Sequence, residues 1–139
     1  MYTVYIQYNR GEKMEIDIII SNSLDKAIYE QIKEQIKNKI IAEELQTGEM
    51  LPSIRSLARD LRVSVITTKR AYEELEKEGF IETRPGQGCF VASKNSELIR
   101  EEQLTKIEAL LEEAIQVAKV SKIDKQEMKR LLDILMEEE

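Results

Sequence analysis

Five basic side chains lie close together between residues 53 and 72, where the only acidic residue is Asp60. They are Arg55, Arg59, Arg62, Lys69 and Arg70. Guanidinium and ammonium groups bind phosphate oxygens through charge-assisted hydrogen bonds. Ser64 stands within this segment, and its hydroxyl group can cap a helix or bind a phosphate or base edge. The segment therefore predicts contact with a polyanion, which we expect to be nucleic acid.

The distribution of charge supports this expectation although the whole chain carries a net charge of −6. Residues 51–94 carry a net charge of +2, whereas the segments before and after them carry −3 and −5. Because salt screens the field of a charge beyond about 10 Å, a local basic patch affects the binding of nucleic acid more than the net charge of the whole chain does.

The residues that catalysis usually requires are scarce. Histidine is absent, and Cys89 is the single cysteine. The chain thus lacks the commonest general base and the commonest metal ligand. We expect no enzyme activity, no metal and no cofactor, and we interpret Cys89 as a small strand residue rather than a thiol sensor. A lone cysteine forms no internal disulfide, which fits a reducing cytoplasm, and no apolar run is long enough to cross a membrane.

Residues 1–22 are assigned to an N-terminal extension and short strand. The segment MEIDIII, residues 14–20, is an apolar run of strand length. Residues 1–13 are isolated from the rest of the chain. We hypothesise that Met14 is the native start, because RGEK before it can be encoded by a purine-rich sequence that resembles a bacterial ribosome-binding site. The alternative is that residues 1–13 are a genuine extension.

Residues 23–93 contain the pattern of one domain. A first helix is predicted over about 24–44, capped by Asn22 or Ser23 and closed by Gly48.

Two short helices come next, over 53–61 and 64–78, each beginning at a serine, and Gly79 ends the second. FIETR, PGQG and CFVA then predict two short strands joined by a turn. Two short helices with a tight link, followed by such a hairpin, make a winged helix-turn-helix domain.

The helix over 64–78 has two faces at 100° per residue. The side predicted to face the core holds Ser64, Thr68, Ala71, Tyr72 and Leu75. The side predicted to face outward holds Ile66, Lys69, Arg70, Glu73 and Lys77. Val65 and Thr67 lie on the flanks.

The first turn of that helix is predicted to meet base edges in the major groove. Methyl groups of Val65 and Ile66 can pack on thymine methyls, and the hydroxyls of Ser64 and Thr67 can bind phosphate or base. Lys69 and Arg70 add charge-assisted contacts. The alternative for Val65 is that it packs on the preceding helix.

Further contacts are predicted on both sides of this helix. Arg55, at the start of the preceding helix, is predicted to clamp a phosphate and set the docking angle. In the turn RPGQG, two glycines leave backbone N–H groups accessible to phosphate, and the arginine is predicted to enter a minor groove. The predicted wing contacts are Arg84, Gly86, Gln87 and Gly88.

Residues 94–139 are predicted to form a helical tail. One helix runs over about 97–119, and a second, over 125–137, begins after a capping-box-like start at Asp124 and Glu127. Two amphipathic helices cannot bury their apolar stripes alone, so they must dock on their own domain or on a second chain. The residues predicted to serve dimerisation are Leu104, Ile107, Leu111, Ile115, Leu131 and Leu135.

The text GEMLPSIRSLARDLRVSVITTKRAYEELEKEGFIETRPGQGCFVA, residues 48–92, resembles the GntR family of bacterial repressors. The match rests on L-P-S-x-R-x-L-A, V-S-x-x-T, A-Y-x-x-L-x-x-E-G-F-I and G-x-G-x-F-V, and DKAIYEQIKEQIKNKI extends it to about residues 24–92. The resemblance implies DNA contacts at Arg55, Ser64, Thr67 and Lys69 and at the wing around Gly86 and Gly88.

One departure and one further likeness refine that resemblance. The position after Ser64 is often arginine in the family and is Val65 here, which implies a different operator. The short tail resembles the YtrA-like subfamily, whose helical tail serves dimerisation.

We therefore predict a mainly α fold with a small β-hairpin: a winged helix-turn-helix domain followed by a two-helix C-terminal dimerisation hairpin. The expected function is a cytoplasmic, homodimeric transcription regulator, a repressor, that binds a palindromic operator in double-stranded DNA. Two alternatives stay open. One is a sensor with a small-molecule effector bound at the tail helices, and the other is a winged-helix protein-interaction module that does not bind DNA.

Overall fold

The computed structural model describes residues 2–9, 13–22, 25–93 and 96–137. In these ranges the elements are β1 Tyr2–Asn9, β2 Lys13–Ile20, α1 Ile28–Ile41, α2 Ile54–Leu61, α3 Val65–Lys77, β3 Ile81–Arg84, β4 Gly88–Val91, α4 Ser96–Val120 and α5 Lys125–Glu137. The chain divides into two compact units, Met1–Lys94 and Asn95–Glu139. The mainly helical fold with the small hairpin of β3 and β4 confirms the predicted class, and β1 with β2 forms a second hairpin.

The core of the first unit lies between α1, α2 and α3. Each helix contributes apolar side chains at three- and four-residue steps, the spacing of one helix face. The buried helical residues include Ile32, Ile36, Ile40, Leu57, Leu61, Ala71, Tyr72 and Leu75. Burying one such large apolar side chain contributes about 1.5–3 kcal/mol, which outweighs the weak helix propensity of the β-branched start of α3.

The first helix is shorter at both ends than predicted, and the prediction of 24–44 is wrong there. α1 begins after Ala27, which offers no side-chain cap; Asn22 lies well before it, and Ser23 is outside the described residues. At the other end Glu43 has a positive φ of 61°, so the helix cannot continue to residue 44. Gly48 therefore lies in a later turn rather than closing the helix.

An N-terminal hairpin precedes this core, and half of it was not predicted. β1 pairs antiparallel with β2, with Tyr2 opposite Ile20 and Asn9 opposite Lys13. The sequence predicts a strand over MEIDIII, but the interpretation of residues 1–13 as isolated is wrong for residues 2–9: their tyrosine, valine and isoleucine side chains favour the strand that pairs with β2. The hypothesis that Met14 is the native start stays a prediction.

Two glutamine side chains of α1 attach β2 to the core. The Gln31 amide accepts the Ser21 N–H at 2.9 Å and donates to the Ser21 carbonyl at 2.9 Å. The Gln35 amide does the same for Ile19, at 2.7 and 2.6 Å. These amides satisfy backbone groups along one edge of β2 that a neighbouring strand would otherwise bind.

The second unit consists of α4, a turn and α5. Lys122 has a positive φ of 58°, and the Ile123 N–H donates to the Ala118 carbonyl at 2.9 Å, which ends α4. The predicted capping box is confirmed: the Glu127 N–H donates to Asp124 Oδ1 at 2.9 Å, and the Asp124 N–H donates to Glu127 Oε2 at 3.3 Å. Among the described residues of this unit, only Ala118 is buried.

Candidate nucleic-acid interface

Helices α2 and α3 are joined by a tight turn with a serine cap at each helix start. Ser53 Oγ accepts the Ser56 N–H at 3.1 Å, and Ser64 Oγ accepts the Thr67 N–H at 3.0 Å. Arg62 ends α2 in the left-handed region, with φ 56°. Arg62 and the Ser64 cap together turn the chain between the helices, as a helix-turn-helix requires.

A buried hydrogen bond fixes the angle between the two helices from the inside. The Tyr72 hydroxyl donates to the Pro52 carbonyl at 2.7 Å, from the core side of α3 to the residue before the α2 cap. Both residues are buried. The opposite, outer face of α3 is thereby held at the surface of the domain.

The first turn of α3 exposes apolar side chains. Ile66 is 80% exposed and Val65 is 47% exposed, while Thr68 is buried with its Oγ1 donating to the Ser64 carbonyl at 3.2 Å. The outward placement of Ile66 agrees with the helical wheel. Ser64 itself is exposed rather than on the core side, because a cap residue lies outside the helical rotation that the wheel assumes. Val65 is not buried against α2, which leaves its methyl groups accessible.

The hydroxyl groups of Ser64 and Thr67 are bonded to each other. The Ser64 hydroxyl donates to Thr67 Oγ1 at 2.7 Å, in addition to accepting the Thr67 N–H. A hydroxyl group has one donor and two acceptor sites, so Thr67 keeps its own hydrogen for a further partner. The pair forms a small polar site at the N-terminus of α3, where negative charge is favoured.

The basic side chains of this surface differ in whether a carboxylate neutralises them. Lys69 lies 3.8 Å from Glu73, and Arg59 lies 3.5 Å from Asp60. Three other basic side chains between residues 53 and 72 have no carboxylate oxygen within 4.0 Å among the described residues. They are Arg55, Arg62 and Arg70. Arg55, exposed in the first turn of α2, was predicted from the sequence to clamp a phosphate, and Arg70 was predicted to add a charge-assisted contact.

The wing consists of β3, β4 and the turn between them. The strands pair antiparallel, with Ile81 opposite Val91 and Arg84 opposite Gly88. A third segment supports the hairpin from the other edge of β4, since the Leu51 N–H donates to the Cys89 carbonyl at 2.8 Å. The glycines, Gln87 and their turn are exposed, as the predicted approach to phosphate requires.

Arg84 is held on the wing rather than extended from it. Its Nη2 lies 2.6 Å from Glu82 Oε1, and its guanidinium stacks 4.2 Å from the centroid of the Phe90 ring. An exposed ion pair is worth about 0–1 kcal/mol and an exposed cation–π contact about 0.5–1 kcal/mol, so releasing Arg84 for a minor-groove contact costs about 2 kcal/mol or less. Cys89 is half-buried with Sγ 3.6 Å from Thr83 Oγ1, in the position expected for a small strand residue.

Two residues that were not predicted to belong to the interface touch residues of α3 or the wing. Tyr29 of α1 lies beneath the Arg70 guanidinium, at 3.8 Å from the ring centroid. Glu76 of α3 binds Thr83 of β3. Tyr29 and Arg70 are far apart in the chain, so no local sequence pattern marks their contact.

The six residues predicted to serve dimerisation lie on exposed faces of α4 and α5. Their exposure ranges from 43% for Ile115 to 58% for Leu135. Exposed apolar stripes of this extent are typical of contact surfaces.

Other kinds of site receive little support from the described residues. No group of three His, Cys, Asp or Glu side chains there is arranged to hold a metal ion. No helix in the described ranges combines the length and apolar character that a membrane span requires. A cleft of about 190 Å³ is lined by Ile20, Asn22, Ile28, Leu61, Arg62 and Val63. It is smaller than the roughly 300–1,000 Å³ of typical small-molecule sites.

The helix-turn-helix, its exposed recognition turn and the wing define a winged helix-turn-helix DNA-binding protein. Residues 28–91 match the family model described as bacterial regulatory proteins, gntR family. The chain is 38% identical over 103 residues to the HTH-type transcriptional regulator YhcF of Bacillus subtilis, covering 74% of this chain and 84% of that protein. The chain belongs to the GntR family, and it is a DNA-binding transcriptional regulator rather than an enzyme.

Two further similarities place it near the short, YtrA-like members. The HTH-type transcriptional repressor YtrA of Bacillus subtilis is 36% identical over 88 residues, which cover 63% of this chain and 68% of that protein. A solved GntR family transcriptional regulator from Listeria monocytogenes has a TM-score of 0.67 and 29% identity, covering 82% of this chain and 97% of that chain. The predicted family resemblance is confirmed.

Proposed function

We propose that this regulator is a repressor that binds a palindromic operator in double-stranded DNA as a homodimer. The observation that carries the proposal is the Ile66 side chain, which is 80% exposed in the first turn of α3 beside a well-packed core. A large apolar side chain kept in solvent at this place gains free energy when it packs on thymine methyl groups in the major groove.

Some of the neighbouring side chains select the DNA sequence, and others contribute affinity for any DNA. Val65, Ile66 and Thr67 read base edges, because the first turn of a recognition helix lies deepest in the groove. Arg55, Lys69 and Arg70 bind backbone phosphates, with Ser64 at the helix N-terminus. The wing turn contacts phosphates at Gly86, Gln87 and Gly88, and Arg84 reaches the flanking groove. Because the Gln87 N–H already donates to the Arg84 carbonyl at 2.9 Å, Gln87 contributes its exposed side chain rather than its backbone donor.

The exposed apolar faces of α4 and α5 support the homodimer. A second copy of the chain offers the same stripe, and an isologous contact buries both stripes at once. Two recognition helices related by a twofold axis fit half-sites about one helical turn apart. Repression is supported by the name of the similar YtrA repressor. Binding to chromosomal DNA would place the protein in the cytoplasm.

The test combines footprinting with a measurement of mass. Purified full-length protein is footprinted on the DNA upstream of its own gene, and its mass is measured by sedimentation. We expect protection of two symmetric half-sites, a dimer in solution and reduced run-off transcription from that promoter. Protection of DNA by a monomer would reject the homodimer, and activated transcription would reject repression.

A further inference from the structure

Arg70 and Tyr29 form a stacked pair at the edge of the recognition surface. The Arg70 guanidinium carbon lies 3.8 Å from the centroid of the Tyr29 ring, within the range of a cation–π contact. Tyr29 is the second residue of α1 and is half-buried, whereas Arg70 is exposed. The contact fixes one end of a long side chain that would otherwise be mobile.

Arg70 stands one helical turn after Ile66 on the same face of α3. Side chains at positions i and i+4 of a helix are neighbours, about 5–6 Å apart at Cβ. If Ile66 reads bases in the groove, Arg70 lies one turn closer to the groove wall, where the phosphates run. Stacking occupies the flat face of the guanidinium and leaves its N–H edge available as a donor.

The carboxylate that would be expected to neutralise Arg70 is bound elsewhere. Glu74 stands four positions after Arg70, the spacing of a helical ion pair. Its Oε2 instead lies 3.1 Å from the Lys33 ammonium group of α1, which is also 3.4 Å from Glu78. The Lys33 side chain is only 18% exposed. Burial alone would lower the pKa of Lys33, but the carboxylates of Glu74 and Glu78 outweigh it and raise that pKa.

We propose that Tyr29 is a positioning residue for DNA binding. Its ring holds the Arg70 guanidinium so that the N–H edge meets a backbone phosphate beside the major groove. Lys33 assists by keeping Glu74 away from that guanidinium. The inference rests on the proposed function and extends it to two residues of α1 that make no predicted DNA contact themselves.

The test is a double-mutant cycle on the full chain, read out by DNA binding at several salt concentrations. The probes are a duplex that carries the footprinted sequence and a scrambled duplex of equal length. The logarithm of the DNA association constant falls linearly with the logarithm of the salt concentration. Arg70→Ala should make this fall less steep, by about 0.9 for each phosphate that the protein no longer binds. Tyr29→Leu should weaken binding about two- to fivefold, the worth of an exposed cation–π contact. In the Arg70→Ala background Tyr29→Leu should have no further effect.

Two variants separate positioning from a merely structural role. Tyr29→Phe keeps the ring and removes only the hydroxyl bond to Glu30, so it should bind DNA as the wild type does. Lys33→Ala should weaken binding because Glu74 becomes available to Arg70, and adding Glu74→Gln should restore it. Thermal melts identify any variant whose fold is impaired, and that variant is then compared at a lower temperature where it is folded.

Two results would overturn the inference: additive effects of Tyr29→Leu and Arg70→Ala, or an unchanged salt slope for Arg70→Ala. Failure of the wild-type protein to bind its upstream DNA would instead reject the proposed function itself.

Discussion

Glu76 of the recognition helix binds Thr83 of the wing with both carboxylate oxygens. Its Oε1 accepts the Thr83 N–H at 3.3 Å, and its Oε2 accepts the Thr83 hydroxyl at 3.2 Å. Thr83 lies on β3, opposite Cys89 of β4. The contact therefore ties the outer strand of the wing to the helix that reads DNA, and it fixes how far apart the two DNA-contacting elements lie.

Removing this contact should impair DNA binding more than folding. Glu76→Ala should lower the free energy of unfolding by about 1 kcal/mol or less, because both hydrogen bonds are exposed. Operator affinity should fall as well, because the wing is no longer held at a fixed distance from α3. Glu76→Gln, which can still accept one bond and donate another, serves as the control and should resemble the wild type. Equal operator affinity for the alanine variant and the wild type would show that the contact does not position the wing.

The two wing glycines should differ in their tolerance of a side chain. Gly88 has φ 120°, and an added Cβ would lie 3.0 Å from the Met50 methyl group, whereas Gly86 has φ 74° and open space around it. Gly88→Ala should cost about 1–3 kcal/mol, mainly through backbone strain. Gly86→Ala should cost about 1–2 kcal/mol, as for an ordinary residue in the left-handed region. Urea denaturation measures both, and a larger loss of stability for Gly86→Ala would contradict the assigned wing geometry.

A negative charge at the Ser64 cap of α3 should weaken DNA binding without reducing the stability of the fold. Asparagine and aspartate cap helices about as well as serine, so Ser64→Asn and Ser64→Asp should both melt near the wild-type temperature. The aspartate places a negative charge where the helix N-terminus meets DNA phosphate, and it should strongly weaken binding. The asparagine variant is the uncharged control. Similar gel-shift affinities for the two variants would place the α3 N-terminus away from DNA.

The apolar face of α4 should control the oligomeric state. Leu111 is exposed in the single chain, and Leu111→Asp places a charge in the middle of the proposed dimer contact. We expect this variant to sediment as a monomer and to bind the operator more weakly. Gln116→Asp adds the same charge to an exposed polar position of α4 and should stay dimeric. A dimer of normal strength for Leu111→Asp would move the interface to another surface.

Local signals allowed much of the fold to be predicted. Ser53, Ser64 and the Asp124–Glu127 pair mark helix starts through hydrogen bonds that span only three residues. In the same way, the alternation of apolar and polar residues marks the strands of the wing, and the glycines mark the turn between β3 and β4. Each of these features depends on neighbours in the chain, so a single sequence suffices to find it.

Contacts between distant segments could not be predicted in this way. α1 begins after Ala27 without a side-chain cap, and Gln31 in its first turn instead binds Ser21, ten residues earlier in the chain. The stack of Arg70 on Tyr29 likewise forms only when α1 and α3 have packed. The helical wheel placed Arg70 on the outward face correctly, but it could not show what holds the side chain there.

Binding-site selection from a random duplex library tests the central claim, sequence choice by the first turn of α3, most directly. Wild-type protein and Ile66→Ala are each used to select DNA, and the bound molecules are sequenced. We predict a wild-type motif of two symmetric half-sites, with centres about 10 base pairs apart or a multiple of that. We also predict that Ile66→Ala loses the preference at one A·T pair of each half-site and keeps the rest. Identical motifs from the two proteins, or no motif from the wild type, would contradict the claim.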